Sequence, residues 1–148
     1  MIALLLPLSG CLDQRANNNA PEQLVLKGLS FNTNVTYSLD LAKEQDKPLF
    51  VYARSEECGW CKKFEQETFT DKSVIKILKE NFILLSIDVY KQKEERKYFS
   101  VQGTPAEIFL YPNRTEIKRI PGYTETETFL NLINEIVNTE RTENETRK

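Results

Sequence analysis

The sequence predicts an α/β domain in which helices flank a central sheet. Three observations lead there. Apolar runs of strand length alternate along the chain with stretches of helical period. The run "KPLFVYAR" leads into a pair of cysteines, Cys58 and Cys61, at the mouth of a helical stretch. Further on, "AEIFLY" and "EIKRI" are joined by a Pro112-Asn113 turn, a hairpin signature, and an amphipathic helix follows.

In chain order, residues 12–30 open with "LDQRANNNAPEQ", polar, Asn-rich and without periodicity, and are expected to be a flexible tether. The folded domain is expected over residues 31–139, beginning at Phe31. A helix is expected around Thr36 to Gln45, then the strand opened by Pro48. Cys58 to about Phe69 reads as a helix with Phe64 toward the core. "DKSVIKILKENF" places Val74, Ile77, Leu78 and Phe82 at helical spacing, and "FILLSIDV" has the continuous apolar character of a buried strand. "KQKEERKYF" reads as a charged helix ending with Tyr98 and Phe99 on the core side. The last helix is expected to open with a capping box, Thr124 with Glu127, and to carry Phe129, Ile133, Ile136 and Val137 on one face. Residues 140–148 read as a solvated tail.

Composition narrows the chemistry. The chain has 148 residues, 40% of them hydrophobic and 28% charged, which suits one globular domain. Its net charge of −2, with no basic stripe, gives no reason to expect nucleic acid. There is no histidine, so a Ser-His-Asp or Cys-His nucleophile has no base. Three cysteines are too few for a disulfide scaffold. Cys58 and Cys61 supply two ligands where zinc needs four, so no metal is expected. A dithiol needs nothing else.

The segment "MIALLLPLSGC", residues 1–11, resembles a bacterial lipoprotein signal, with Leu8-Ser9-Gly10-Cys11 as the lipobox. That resemblance implies a lipidated Cys11 and a domain tethered to the outer face of a membrane. The apolar run is shorter than the ~20 residues a spanning helix needs. No Lys or Arg precedes it, a departure from the signal pattern.

The element order, together with Cys58-Gly59-Trp60-Cys61 and Gly103-Thr104-Pro105, resembles the thioredoxin family from about Phe31 to Val137. More narrowly, "CGWCKKFEQETF" and "GTPAEIFLYPNRTEIKRIPGY" are similar to exported thioredoxin-related lipoproteins and to the C-terminal domains of membrane disulfide reductases. The resemblance implies the thioredoxin fold, a central mixed sheet flanked by helices, and a thiol–disulfide oxidoreductase. Cys58 would be the nucleophile, its thiolate stabilised at a helix N-terminus, and Cys61 the resolving thiol of a redox-active disulfide. Gly59, Trp60, Thr104 and a cis Pro105 would meet the substrate. No cofactor is implied. The partners would be protein disulfides and a membrane electron donor.

Two positions depart from the family. Tyr52 stands where thioredoxins carry a buried Asp, and Leu84 where they carry its companion lysine. Glu56, Glu57 and Glu107 are the nearby acids available to exchange a proton with Cys61, although at least two of them read better as plain surface residues. The two glutamates before Cys58 oppose a stabilised thiolate, which favours a reductase or isomerase over a primary oxidant. A non-catalytic binding module or chaperone, and an intracellular redox protein, remain open from sequence. Sequons at Asn34, Asn113 and Asn144 are expected to be incidental.

Overall fold

The computed structural model describes residues 21–146 and has the expected thioredoxin fold. In chain order come β1 (Gln23–Leu26), β2 (Leu29–Asn32), α1 (Val35–Gln45), β3 (Leu49–Arg54), α2 (Gly59–Glu67), α3 (Lys72–Asn81), β4 (Ile83–Asp88), α4 (Lys93–Tyr98), β5 (Ala106–Leu110), β6 (Glu116–Pro121) and α5 (Thr126–Thr146). The strands form one 6-stranded mixed sheet in the order β1-β2-β4-β3-β5-β6. β3 sits at its centre, parallel to β4 and antiparallel to β5.

Side-chain alternation along β3 divides the core. Phe50 and Tyr52 point into a layer filled by Phe64 of α2, Val74 and Leu78 of α3, and Phe129 and Ile133 of α5. Leu49, Val51 and Ala53 point into the other, with Leu39 and Ala42 of α1 and with Phe99 and Val101 just beyond α4. β3 and β5 are therefore covered on both faces, and every residue of each is buried. Phe50 stacks on Phe109 across the two strands at 4.9 Å between ring centroids.

Several expectations need correction. The stretch expected to be a tether through residue 30 contains β1 and most of β2, an antiparallel hairpin turned at Lys27 and Gly28. Both turn residues have positive φ, 49° and 84°, which suits a two-residue hairpin turn. The hairpin extends the sheet, and Leu29 and Phe31 are fully buried. The domain thus starts before Phe31. At the other end α5 continues to Thr146, so most of the expected tail is helical, although residues 141 and 142 and residues 145 and 146 do face solvent. α5 also opens two residues after Thr124, with Glu125 accepting the first helical hydrogen bond from Phe129 N–H, so Thr124 and Glu127 are not a capping box. Tyr98 is 57% exposed while Phe99 is buried, because α4 shows the core only its C-terminal end. The sequons at Asn34 and Asn113 have local structural uses. Asn34 caps α1 by accepting from Tyr37 N–H, and Asn113 accepts from Thr115 N–H within the β5–β6 turn. Cys11 lies outside the described residues.

Candidate redox site

β3 ends at Arg54 in the middle of the sheet, and Ser55, Glu56 and Glu57 carry the chain from its C-terminal end to α2. Cys58 is the N-cap of α2, with extended backbone, and its Sγ accepts a hydrogen bond from Cys61 N–H at 3.0 Å. One turn further, Cys61 is completely buried under α2. Cys58 and Cys61 form a disulfide, with Cα atoms 5.2 Å apart. The sulfur nearer solvent is therefore that of Cys58, which also faces the unpaired N–H groups of the helix end.

The Thr104–Pro105 peptide bond is cis, as the resemblance implies. Pro105 immediately precedes Ala106, which pairs with Ala53 of β3, so the proline loop lies at the same sheet end as the dithiol. Pro105 is buried, Thr104 half-buried, and Pro105 C=O accepts from Gly122 N–H at 2.8 Å.

Trp60 is 58% exposed and leans on Tyr123, with ring centroids 5.3 Å apart. Lys63 Nζ sits over both rings, at 5.3 Å and 4.6 Å. The Tyr123 hydroxyl donates to Glu67, fastening the β6–α5 connection to α2 and pushing the phenol upward in pKa. An added Cβ at Gly59 would meet nothing within 4 Å, so the fold itself does not demand glycine there.

Beneath α2 lies a polar cluster in an otherwise apolar layer. Tyr52, fully buried, directs its hydroxyl at Glu65 Oε1 (3.2 Å) and the Cys61 carbonyl (3.4 Å). Burial first, and then the Glu65 carboxylate, drive its pKa well above the ordinary tyrosine value. Arg54 Nε donates to Glu65 Oε1 at 2.7 Å in a buried ion pair. Glu107 stands opposite Tyr52 in the β3–β5 register with no exposure, and neither carboxyl oxygen has a hydrogen-bond partner among the described residues. Burial pushes its pKa up to about 9, against a lesser opposing pull from its own backbone N–H.

Of the three acids considered from sequence, Glu56 and Glu57 are thus surface residues and Glu107 is not. Glu56 is paired with Lys91 at 2.6 Å, a contact that lowers its pKa. Leu84 packs in the layer of Tyr52 as an ordinary core residue. The Arg54–Glu65 pair and Tyr123 were not among the expected site residues. Glu65 falls four residues after Cys61, hence on the same buried helix face, and that spacing is the signal that points to it. Tyr123 lies in a turn and carries no periodic signal. Among the described residues no group of three or more His, Cys, Asp or Glu is placed to hold a metal ion. No helix among them is long and apolar enough to cross a membrane.

Comparison with known proteins agrees with this arrangement. The family model for a thioredoxin-like domain matches residues 35–136. Thiol:disulfide interchange protein DsbD of Yersinia pestis is 30% identical over 139 residues, 88% of this chain and 23% of that protein. Spermatogenesis-associated protein 20 of Mus musculus is 29% identical over 83 residues, 51% of this chain and 10% of that protein. The chain therefore spans less than a quarter of either relative. Among solved structures, a thioredoxin from Thermus thermophilus superposes with TM-score 0.63 at 26% identity, covering 70% of this chain and 84% of its own. The oxidised DsbD C-terminal domain of Neisseria meningitidis does so at 0.60 and 17% identity, covering 71% and 97%. The chain belongs to the thioredoxin-like domain family, as an oxidoreductase-type member with a Cys58–Cys61 disulfide.

Proposed function

We propose that this domain is an exported thiol–disulfide oxidoreductase that reduces or isomerises protein disulfides and is itself kept reduced by a membrane electron donor. The observation that carries the reading is the Cys58–Cys61 disulfide at the N-terminus of α2, with a cis-proline loop at the same sheet end. Reduced Cys58, as thiolate, attacks one sulfur of a substrate disulfide and the other substrate sulfur leaves as thiolate. Cys61, once deprotonated, attacks Cys58 Sγ in the mixed disulfide and expels the remaining substrate thiolate. Two electrons pass to the substrate and the Cys58–Cys61 bond re-forms. The half-exposure of Cys58 and the burial of Cys61 favour this order of roles.

Thr104 and Pro105 provide the rim on which an extended substrate chain rests, Gly59 leaves space for its approach, and Trp60 offers an apolar face to it. The reducing direction is supported by the charges. Glu57 is exposed beside Cys58, and Lys63, the nearest cation along α2 after Lys62, is held over Trp60 and Tyr123 rather than at the sulfur. The similarity to proteins named for thiol:disulfide interchange supports the same class of substrate. Export and anchoring rest on the lipobox at Leu8-Ser9-Gly10-Cys11, which implies a lipid on Cys11.

Trapping in cells tests the assignment. Cys61→Ser should accumulate mixed disulfides through Cys58, and Cys58→Ser should accumulate none. Equal trapping by both variants would reverse or remove the roles. No trapping by either, with full activity retained, would leave a binding module.

A further inference from the structure

β2, β4 and β3 run parallel and end side by side at Asn32, Asp88 and Arg54. Beyond their carboxyl ends, where α/β folds commonly seat ligands, the chain encloses an open cleft of about 700 Å³, within the size range of small-molecule sites. Its inner wall includes Arg54 and Ser86, on the sheet face of Tyr52. Its outer wall includes Glu22, beside β1, and Glu95 of α4. Among the described residues that line it there is neither cysteine nor Pro105, so the cleft is separate from the dithiol.

The two ends of the cleft differ in what they offer. At the inner end Arg54 is buried and gives Nε to Glu65 at 2.7 Å, while its Nη groups have no partner among the described residues. The free edge of an arginine fork matches a carboxylate. Ser86, in register with Tyr52, adds a hydroxyl that is buried and has no hydrogen-bond partner among the described residues. A buried polar group without a partner calls for one, and in the wall of a cleft a ligand atom can supply it. At the outer end exposed Glu22 and half-buried Glu95 form no ion pair among the described residues. The neighbouring acids are engaged: Asp88 accepts from the Tyr90 and Lys91 N–H groups, and Glu56 holds Lys91. This arrangement disfavours simpler guests. A phosphate on Arg54 would face two uncompensated carboxylates, and a polycation would leave the Arg54 edge and Ser86 unused. A nucleobase would find no aromatic ring to stack on, since none is among the lining residues.

We propose that this cleft binds a short zwitterionic peptide, its terminal carboxylate on Arg54 and Ser86 and its terminal ammonium between Glu22 and Glu95. The span fits. β3 and β1 stand three strand spacings apart, roughly 14 Å. The Arg54 and Glu22 side chains close part of that gap, and an extended tripeptide reaches roughly 10 Å. The interior of a longer chain carries neither terminal charge and does not match. The site makes no use of Cys58 or Cys61, so it stands apart from the redox reading.

The test is titration of the full chain with triglycine, which is zwitterionic at neutral pH and has no thiol, followed by calorimetry and by backbone amide NMR shifts. Triglycine should bind saturably, with shifts centred on Thr33, Arg54, Asp88 and Gln92. N-acetyltriglycine, which lacks the ammonium, and triglycinamide, which lacks the carboxylate, should each bind about tenfold more weakly or worse, as expected for loss of a charge-assisted contact. Glu22→Gln, at an exposed residue, should weaken triglycine severalfold and leave N-acetyltriglycine unchanged. Ser86→Ala should weaken triglycine and N-acetyltriglycine and leave triglycinamide unchanged. Absence of saturable binding, equal binding of the three peptides, or shifts away from the cleft would each overturn the proposal. Tighter binding of inorganic phosphate or of trilysine would also overturn it, in favour of a plain anion site or a plain acidic surface. Each of these outcomes leaves the Cys58–Cys61 chemistry untouched, because triglycine cannot enter it.

Discussion

Tyr52 and Glu107 face each other in register on the two central strands, both without solvent exposure, yet the Tyr52 hydroxyl turns to Glu65 and leaves the Glu107 carboxyl without a partner. The two residues give the layer beneath the dithiol one satisfied polar group and one orphan, and the fold's response to pH should follow from the orphan.

Glu107 binds its proton up to about pH 9 in the folded state, whereas an unfolded chain releases it near the ordinary value of 4.5. Between those limits the folded state holds more protons than the unfolded one, so stability falls as pH rises. The contribution is fully present below pH 4.5 and is lost on passing pH 9, with a slope of up to about 1.4 kcal/mol per pH unit. Chemical denaturation from pH 5 to pH 9 should show the decline. Glu107→Leu should flatten it and be the more stable protein at pH 8. A wild-type curve that is flat or rising over this range would contradict the burial assigned to the carboxyl.

The Arg54–Glu65 pair should behave as buried pairs do, since its side chains are only 11% and 9% exposed. Removing one partner, as in Arg54→Met or Glu65→Leu, should cost about 3–5 kcal/mol, because a charge is left buried alone. The double variant should recover most of that loss. Urea midpoints of the three proteins check it, and additive losses would show that the two charges are not coupled.

Trp60 is largely exposed and leans on Tyr123, so under the proposed function it is expected to serve recognition rather than stability. Trp60→Ala should change stability by no more than about 0.5 kcal/mol. It should slow exchange with a disulfide-bonded polypeptide severalfold while leaving exchange with a small dithiol nearly unchanged. An equal effect on both reagents would place Trp60 at the sulfur chemistry instead of at the substrate chain.

Much of this architecture is legible in the sequence wherever one physical signal dominates. Phe64, Val74, Leu78, Phe129 and Ile133 repeat at helical spacing and do meet in one layer. Cys58 and Cys61, read as a dithiol at a helix mouth, are bonded there. Weaker signals explain the misses. "QLVLKGLSFN" holds two four-residue strands around a Lys-Gly turn, too short for alternation to stand out beside a polar leader. Tyr98 and Phe99 are adjacent, and helix phase permits only one of them to face the core. Nothing in the sequence separates Glu107 from Glu56 and Glu57, of which at least two read as surface residues, because a charged side chain in a strand usually marks a solvated face. β5 is covered on both faces, so no such face exists. The Thr124–Glu127 spacing fits a capping box, but the β6–α5 connection, fixed by Tyr123, starts the helix two residues after Thr124.

Equilibration of the purified protein with glutathione buffers tests the central claim most directly, with the state of Cys58 and Cys61 read by thiol trapping and mass. A working dithiol kept for reduction should show one reversible two-electron transition confined to that pair. Its potential should lie nearer the about −270 mV of thioredoxin than the about −120 mV of a strong disulfide oxidant. A potential at the oxidising end would contradict the reducing role, and a Cys58–Cys61 bond that does not exchange with glutathione at all would contradict the redox function itself.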